Sequence, residues 1–126
     1  MPTQALAKGR HVLVVEDEMS IVLEIETVLM AIGAQVVGPT AHLNAALRLA
    51  KEATIDVAVL DINIRGGTSY PVADILAGRA VPFVFCSGYG VWALEPTYRD
   101  RPHLAKPFTA PDLERQVLNL LASLPP

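Results

Sequence analysis

The sequence contains one cysteine, Cys86, and no excess of basic residues. A single cysteine cannot form a disulfide within the chain, which favours a reducing cytoplasm as the setting. Ten Lys and Arg residues against thirteen Asp and Glu residues give a net charge of −3. This balance argues against a surface that binds nucleic acid, which needs clustered basic side chains.

Long apolar segments are also absent from the sequence. No apolar run approaches the roughly 18 residues that a membrane-spanning helix needs. Residues 1–10 contain no apolar core of signal-peptide length. We therefore expect a cytoplasmic protein that binds neither nucleic acid nor membrane.

What the sequence has instead is the composition of one folded domain. Of its 126 residues, 52% are hydrophobic and 18% are charged, which is typical of a globular protein and not of a disordered chain. The length suffices for a single hydrophobic core. Residues 1–9 show no hydrophobic pattern, so we expect a loose N-terminal tail followed by one domain at residues 10–124.

Five short apolar segments alternate with segments of helical periodicity. The strand-like segments are residues 11–15, 34–38, 57–60, 81–86 and 103–105. The helix-like segments are residues 21–32, a stretch that begins at Pro39, a short stretch that begins at Pro71, and residues 109–124. Continuous apolar runs suit strands that are buried on both faces of a parallel sheet. The pattern predicts an α/β fold of the flavodoxin-like, doubly wound type, with a five-stranded parallel sheet in the order 2-1-3-4-5 and helices on both faces.

The stretch between the fourth and fifth strands contains too many helix breakers for a full helix. Gly88, Gly90, Pro96 and Pro102 leave little more than one turn free. A helix that short is not stable in water unless packing holds it. We therefore predict that residues 88–102 are irregular or mobile.

Polar residues stand where the predicted strands end, and this placement is the main functional signal. Glu16 and Asp17 follow the first strand, and Asp61 ends the third. In the predicted strand order these two strands are neighbours, and ligands gather at the carboxyl ends of such strands. Two unit charges about 4 Å apart repel by about 4 kcal/mol at an effective dielectric constant of about 20. Three converging carboxylates therefore predict a bound cation, and oxygen ligands favour Mg²⁺ over zinc.

Two further strand ends complete a site for phosphoryl chemistry. Ser87 ends the fourth strand and supplies a hydroxyl donor, and Lys106 follows the fifth and supplies an ammonium group. A transferred phosphoryl group needs charge neutralisation on its equatorial oxygens, which a metal and a lysine provide from two sides. Asp61, between them, is then predicted to be a nucleophilic carboxylate.

Over about residues 10–124 this arrangement resembles a response-regulator receiver domain of two-component signalling. The resemblance implies that Asp61 is the phosphoacceptor, that Glu16 and Asp17 are the acidic pair, and that the Asn63 carbonyl joins them in holding Mg²⁺. It assigns contacts with the phosphoryl group to Ser87 and Lys106, and it implies a cis bond between Lys106 and Pro107.

One motif points to a subgroup of this family, and one position departs from the family pattern. Phe85-Cys86-Ser87-Gly88-Tyr89 resembles the signature of the "FATGUY" receivers, which are often stand-alone proteins served by kinases of the HWE and related groups. The aromatic switch residue of receivers normally lies three positions before the lysine. In this sequence that position is His103, which puts the usual switch in doubt.

Each candidate residue also has a purely structural interpretation. Glu16 and Asp17 could cap a helix and favour its dipole, Ser87 could form a turn, and Lys106 could be solvated. Cys86 is better interpreted as a small buried hydrophobe than as a redox sensor, and His103 as a filler of the switch position rather than a second phosphoacceptor.

Three rival functions fit less well. A haloacid-dehalogenase-type phosphatase needs a second Asp where this chain has Asn63, and it places its nucleophile after the first strand. A nucleotide-binding protein needs a glycine-rich phosphate loop, and the sequence contains no such motif. The runner-up is a non-phosphorylated pseudo-receiver that acts as an interaction module. It ranks second because every acidic and basic residue of the expected site is present.

The sequence thus predicts a single-domain response regulator and not a conventional enzyme. A histidine kinase or phosphotransfer protein would donate the phosphoryl group to Asp61, and the domain itself would catalyse its phosphorylation and dephosphorylation. Signalling would proceed through phosphorylation-dependent binding to an unknown downstream protein. No residues remain after the last predicted helix for an output domain, and we expect a monomer or weak dimer.

Overall fold

The computed structural model describes residues 6–90 and 93–125. Within them lie seven strands, four α-helices and a short 3-10 helix. The strands are β1 (His11–Val15), β2 (Gln35–Thr40), β3 (Val57–Asp61), β4 (Asn63–Ile64), β5 (Gly67–Thr68), β6 (Phe83–Ser87) and β7 (His103–Ala105). The helices are α1 (Met19–Ala31), α2 (Leu43–Glu52), α3 (Tyr70–Gly78), α4 (Ala110–Ala122) and the 3-10 helix Pro96–Tyr98.

The five predicted strands form one parallel sheet in the order β2-β1-β3-β6-β7. With the short strands β4 and β5 left out of the numbering, this is the predicted order 2-1-3-4-5, and the flavodoxin-like fold is confirmed. β4 and β5 form a separate antiparallel hairpin directly after β3. The sequence had predicted only turn-forming glycines there.

Side chains alternate between two apolar clusters, one on each face of the sheet. In β3, Ala58 and Leu60 join the cluster beneath α2 and α3, while Val57 and Val59 join the cluster beneath α1 and α4. All four are almost completely buried, as expected for successive side chains of a central strand. Burial of each of the valine and leucine side chains stabilises the fold by about 1.5–3 kcal/mol. This rigid centre holds the carboxyl ends of the strands in place.

The predicted helix start at Pro39 is wrong. Pro39 and Thr40 belong to the end of β2, after a cis Gly38–Pro39 bond, and α2 begins only at Leu43. The helix is capped by His42, whose Nδ1 accepts a hydrogen bond from the Asn44 amide at 3.2 Å. A proline can also end a strand, and the sequence pattern did not distinguish this position from the first turn of a helix.

Residues 88–90 and 93–102 are irregular, as predicted, and they are well packed; residues 91 and 92 of this predicted segment lie outside the described residues. Within residues 88–90 and 93–102, the 3-10 helix Pro96–Tyr98 is the longest regular element. Leu94 and Tyr98 are 1% and 4% exposed. The Tyr98 hydroxyl donates to Asp74 of α3, and the Glu95 amide donates to the Tyr70 hydroxyl at 3.1 Å. Side-chain contacts with α3 therefore hold this segment against the domain, although it forms no full helix.

The first five residues of the predicted tail lie outside the described residues. From residue 6 onward the chain forms a turn, in which Ala7 is fully buried and the Gly9 amide donates to the Gly33 carbonyl at 2.9 Å. Residues 6–9 thus pack against the domain. In the part of the chain that the structure describes, no helix combines the length and apolar character needed to cross a membrane.

Candidate functional site

Glu16 lies immediately after β1 and is only 2% exposed. Its Oε2 accepts hydrogen bonds from the amides of Asp17 and Glu18, both at 3.1 Å. Its Oε1 accepts a hydrogen bond from Lys106 Nζ at 2.6 Å. Glu16 therefore stabilises the backbone that leads into α1, and it also carries a charge that Lys106 offsets.

Asp61 ends β3 beside this ion pair. Its Oδ1 accepts a hydrogen bond from the Ile62 amide at 2.8 Å and lies 3.5 Å from Lys106 Nζ. Carboxylate oxygens of Glu16, Asp17 and Asp61 all lie within 4.8 Å of one another. Asp17 is exposed, and no hydrogen bond from another described residue reaches its carboxylate. The predicted convergence of the three carboxylates is thus present in the structure.

The electrostatics of the site reflect this crowding of negative charge. Burial is the largest cause that raises the pKa of Asp61, from its ordinary value of 3.8 to about 7, and the hydrogen bond and charge of Glu16 raise it further. Lys106 and the Ile62 amide act in the opposite direction. Burial would lower the pKa of Lys106, but its hydrogen bond to Glu16 and the charges of both carboxylates outweigh burial and raise it.

This donor set fits a hard divalent cation. Three carboxylates at short range offer oxygen ligands only, which suits Mg²⁺ rather than a metal that prefers nitrogen or sulfur. A cation would also relieve the repulsion that raises the pKa of Asp61. Asn63, the first residue of β4, lies two positions after Asp61, and the role of its backbone carbonyl as a ligand stays a prediction.

Ser87 is the last residue of β6 and is 3% exposed. Its Oγ accepts a hydrogen bond from the Tyr89 amide at 2.9 Å, so the hydroxyl forms a turn and its own proton can still be donated. The Lys106 amide donates to the Ser87 carbonyl at 2.8 Å, which fixes the start of the Lys106 side chain beside β6. The Lys106–Pro107 bond is cis, as the resemblance implied.

Two residues next to the site have no part in this hydrogen-bonding network. His103 pairs with Phe85 in the sheet, and its Nε2 is buried without a hydrogen-bond partner among the described residues. Burial lowers the pKa of His103, which favours a neutral ring. Cys86 is fully buried, and burial raises the pKa of its thiol to about 12, which agrees with its interpretation as a buried hydrophobe.

Sequence reasoning did not predict the pairing of Lys106 with Glu16. The two residues follow β7 and β1, and two other strands lie between these in the sheet. The available signal was that Lys106 is the single basic residue beside four acidic or hydroxyl-bearing residues at the strand ends.

Sequence comparison and structure comparison give different results for this chain. No protein-family model matches the sequence, and no curated protein sequence matches it significantly. The solution structure of SdrG from Sphingomonas melonis Fr1 is similar, with 36% identity and a TM-score of 0.79 over 97% of this chain and 99% of that chain. SdrG in its BeF3-activated conformation, from Pseudomonas melonis Fr1, shows 39% identity and a TM-score of 0.75 over 88% and 95%.

Two crystal structures are also similar to this chain. A response regulator receiver protein from Sinorhizobium medicae WSM419 is 29% identical, with a TM-score of 0.79 over 91% of this chain and 96% of that chain. The receiver domain of the sensor histidine kinase PA1611 from Pseudomonas aeruginosa PAO1, with a magnesium ion coordinated in its active-site cleft, is 25% identical, with a TM-score of 0.74 over 91% and 99%. Together with the strand order and the cluster of strand-end carboxylates, these relatives show that the chain belongs to the response-regulator receiver domains of two-component signalling.

Proposed function

We propose that this protein is a Mg²⁺-dependent phosphoryl acceptor at Asp61, with its receiver domain at residues 10–124. A histidine kinase or phosphotransfer protein in the cytoplasm donates the phosphoryl group. The observation that supports this most directly is the convergence of Glu16, Asp17 and Asp61 within 4.8 Å, with Lys106 3.5 Å from Asp61. A nucleophilic carboxylate, a cation site and a fixed ammonium group are thereby close together.

The cation is proposed to bind to Asp17, Asp61, Glu16 and the Asn63 carbonyl. Oε2 of Glu16 already accepts two amide hydrogen bonds and Oε1 accepts one from Lys106, so Glu16 has less capacity left than the other two carboxylates. Asp17 and Asp61 are therefore the principal ligands in this proposal. When bound, Mg²⁺ supplies positive charge to the oxygens of the phosphoryl group.

The contacts of Asp61 indicate which oxygen acts as the nucleophile. Oδ1 is held by the Ile62 amide and faces Lys106, which leaves Oδ2 to attack phosphorus. The Oδ2–P bond forms while the bond from phosphorus to the donor atom breaks, and the electron pair of that bond leaves with the donor. In this proposal Lys106 and the Ser87 hydroxyl donate hydrogen bonds to the phosphoryl oxygens.

The signal is proposed to leave the site through β6. Donation from Ser87 to a phosphoryl oxygen would draw the end of β6 towards Asp61. Phe85, two residues earlier, packs edge-on against Tyr70 and Tyr98 with ring centroids 5.7 and 5.5 Å away. A shift of β6 would thereby change the packing of residues 93–101 and alter the surface offered to a downstream protein. In this proposal the domain works as a monomer or weak dimer.

Intact-mass measurement tests the proposal. We expect the protein to gain the mass of one phosphoryl group when it is incubated with Mg²⁺ and acetyl phosphate, and to gain none when EDTA removes the metal. Asp61→Asn should abolish the gain while leaving the fold intact, because an amide is nearly isosteric but is not a nucleophile. Asp100→Asn is the matched control, since Asp100 is exposed in the segment after the 3-10 helix.

Two outcomes would contradict the proposal. An undiminished gain in Asp61→Asn would move the acceptor to another residue. No gain in the wild-type protein with any small donor would favour the alternative of a non-phosphorylated interaction module.

A further inference from the structure

The β4–β5 hairpin fixes an arginine beside the carboxylate cluster. Arg65 lies in the turn between the two strands. Its amide donates to the Ala41 carbonyl at 3.0 Å, and its carbonyl accepts a hydrogen bond from the Leu43 amide at 2.8 Å. The backbone of Arg65 is therefore tied on both sides to the connection between β2 and α2, although the residue is exposed.

Arg65 lines a cavity together with Glu16 and Asp17, two of the three acidic residues of the site. The cavity has a volume of about 360 Å³, and its walls include Arg65, Thr40, Glu16, Asp17 and Glu26. Arg65 forms no ion pair within residues 6–90 and 93–125. The cavity thus has three carboxylates on its walls and one cation that none of them binds directly.

The charges of the site indicate what this cation can bind. Lys106 is 2.6 Å from Glu16 and 3.5 Å from Asp61, so its single positive charge is shared between two carboxylates. The charges of Asp17 and Asp61 would balance a divalent cation. An incoming phosphoryl group adds a charge of about −2, and the residues already assigned to the site leave it without a full counterion. Arg65 lines the same cavity as Glu16 and Asp17 and carries a positive charge that can supply this counterion.

We propose that Arg65 binds the phosphoryl donor, with its guanidinium group donating hydrogen bonds to the phosphoryl oxygens as the donor approaches Asp61. The planar guanidinium carries several donors in a fixed arrangement and binds phosphate oxygens in pairs. The ligand class is an anionic phosphoryl compound, either a small acyl phosphate or a phosphorylated histidine. This inference rests on the proposed phosphoryl transfer to Asp61 and adds a donor-binding residue outside the strand ends.

Phosphorylation rates with a small donor test the assignment. The second-order rate constant is measured by intact mass with Mg²⁺ and acetyl phosphate, for the wild type, Arg65→Gln and Arg48→Gln. Arg65→Gln should lower the rate constant by about three- to tenfold, the effect of one exposed charge-assisted hydrogen bond. Arg48 is exposed on α2 and does not line the cavity. Arg48→Gln makes the same change in net charge and should stay within about twofold of the wild type.

Mg²⁺ affinity in the absence of donor provides a second measurement, in which Arg65→Gln is not expected to cause a loss. Loss of a positive charge near the carboxylates removes repulsion of the cation, so Arg65→Gln should bind Mg²⁺ as tightly as the wild type or more tightly. Weaker Mg²⁺ binding would show that the substitution disturbed the carboxylates, and it would overturn the assignment.

The remaining outcomes distinguish a failure of donor binding by Arg65 from a failure of phosphorylation at Asp61. An unchanged rate in Arg65→Gln, or an equal loss in Arg48→Gln, would overturn donor binding by Arg65 while leaving Asp61 as acceptor. A wild-type protein that gained no phosphoryl group would overturn both.

Discussion

Two connections leave the sheet beside the site, and they are held in different ways. The one after Asp61 is the β4–β5 hairpin, which is tied by backbone hydrogen bonds. The Ser69 amide donates to the Ile62 carbonyl at 2.8 Å, and Arg65 makes two backbone bonds to residues 41 and 43. The one after Ser87 is the segment 88–102, whose backbone hydrogen bonds at residues 93–101 are local. Leu94 and Tyr98 hold this second connection to the domain.

The two kinds of contact differ in how readily they can rearrange. Backbone hydrogen bonds have defined partners and no alternative arrangement of similar quality, so the hairpin is suited to fix Arg65. Aromatic contacts are less directional, and each adds about 0.5–1.5 kcal/mol beyond its buried area. Tyr98 stacks on Tyr70 with ring centroids 5.7 Å apart and also touches Phe85. The aromatic connection is the one that we expect to respond to phosphorylation.

The largest expected effect comes from removal of the aromatic contact itself. Tyr98→Ala should lower the free energy of unfolding by about 3–5 kcal/mol, the usual cost of deleting a buried aromatic side chain. Amide hydrogen exchange should increase at residues 93–101 and stay unchanged at residues 62–69. An equal increase in exchange at residues 93–101 and 62–69 would show that the two connections unfold as one unit.

The next effect is the pH dependence of stability that comes from Asp61, the last residue of β3, two positions before the hairpin. Burial and Glu16 raise the pKa of Asp61 from 3.8 to about 7 in the folded protein. Between about pH 4 and pH 7 the folded protein retains a proton on Asp61 that the unfolded chain has lost. The stability of the fold with respect to Asp61 is therefore fully present below about pH 4 and is lost as the pH rises through about 7. In Mg²⁺-free buffer, Asp61→Asn should therefore be more stable than the wild type above about pH 7, by at most about 4 kcal/mol, because a pKa difference of one corresponds to about 1.4 kcal/mol.

Urea unfolding at several pH values measures this effect. The advantage of Asp61→Asn should shrink to nothing near about pH 4, and the exposed control Asp100→Asn should show no such trend. An advantage that is the same at every pH would mean that ionisation of Asp61 is not its cause.

The smallest expected effect tests the hairpin. Gly66 has a φ of +95°, and a Cβ atom there would lie 3.1 Å from His42 Cε1 and 3.3 Å from Leu43 Cβ. Gly66→Ala should therefore lower the free energy of unfolding by about 1–3 kcal/mol through strain. Gly78→Ala is the control, since a Cβ atom at Gly78 meets no atom within 4 Å and the residue lies in α3. It should be neutral or stabilising by up to about 1 kcal/mol. A larger loss of unfolding free energy in Gly78→Ala than in Gly66→Ala would show that strain in the turn is not the cause.

The fold and the strand-end residues could be predicted because buried parallel strands leave a direct trace in the sequence. Val57 to Leu60 form a continuous apolar run that ends in Asp61, and the same pattern places Ser87 and Lys106. The hairpin could not be predicted, because two-residue strands have no detectable period. The pairing of Lys106 with Glu16 and the packing of Tyr98 on Tyr70 depend on side chains that are distant in the sequence. Such contacts follow from the tertiary arrangement and not from local pattern.

Locating the phosphoryl group on the chain tests whether Asp61 is the phosphoacceptor. Borohydride reduction converts an aspartyl phosphate into homoserine, and peptide mapping then identifies the modified position. After incubation with Mg²⁺ and acetyl phosphate, we expect modification at Asp61 and at no other carboxylate. Modification at Asp17, or a phosphoryl group that resists borohydride and lies on His103, would contradict the account.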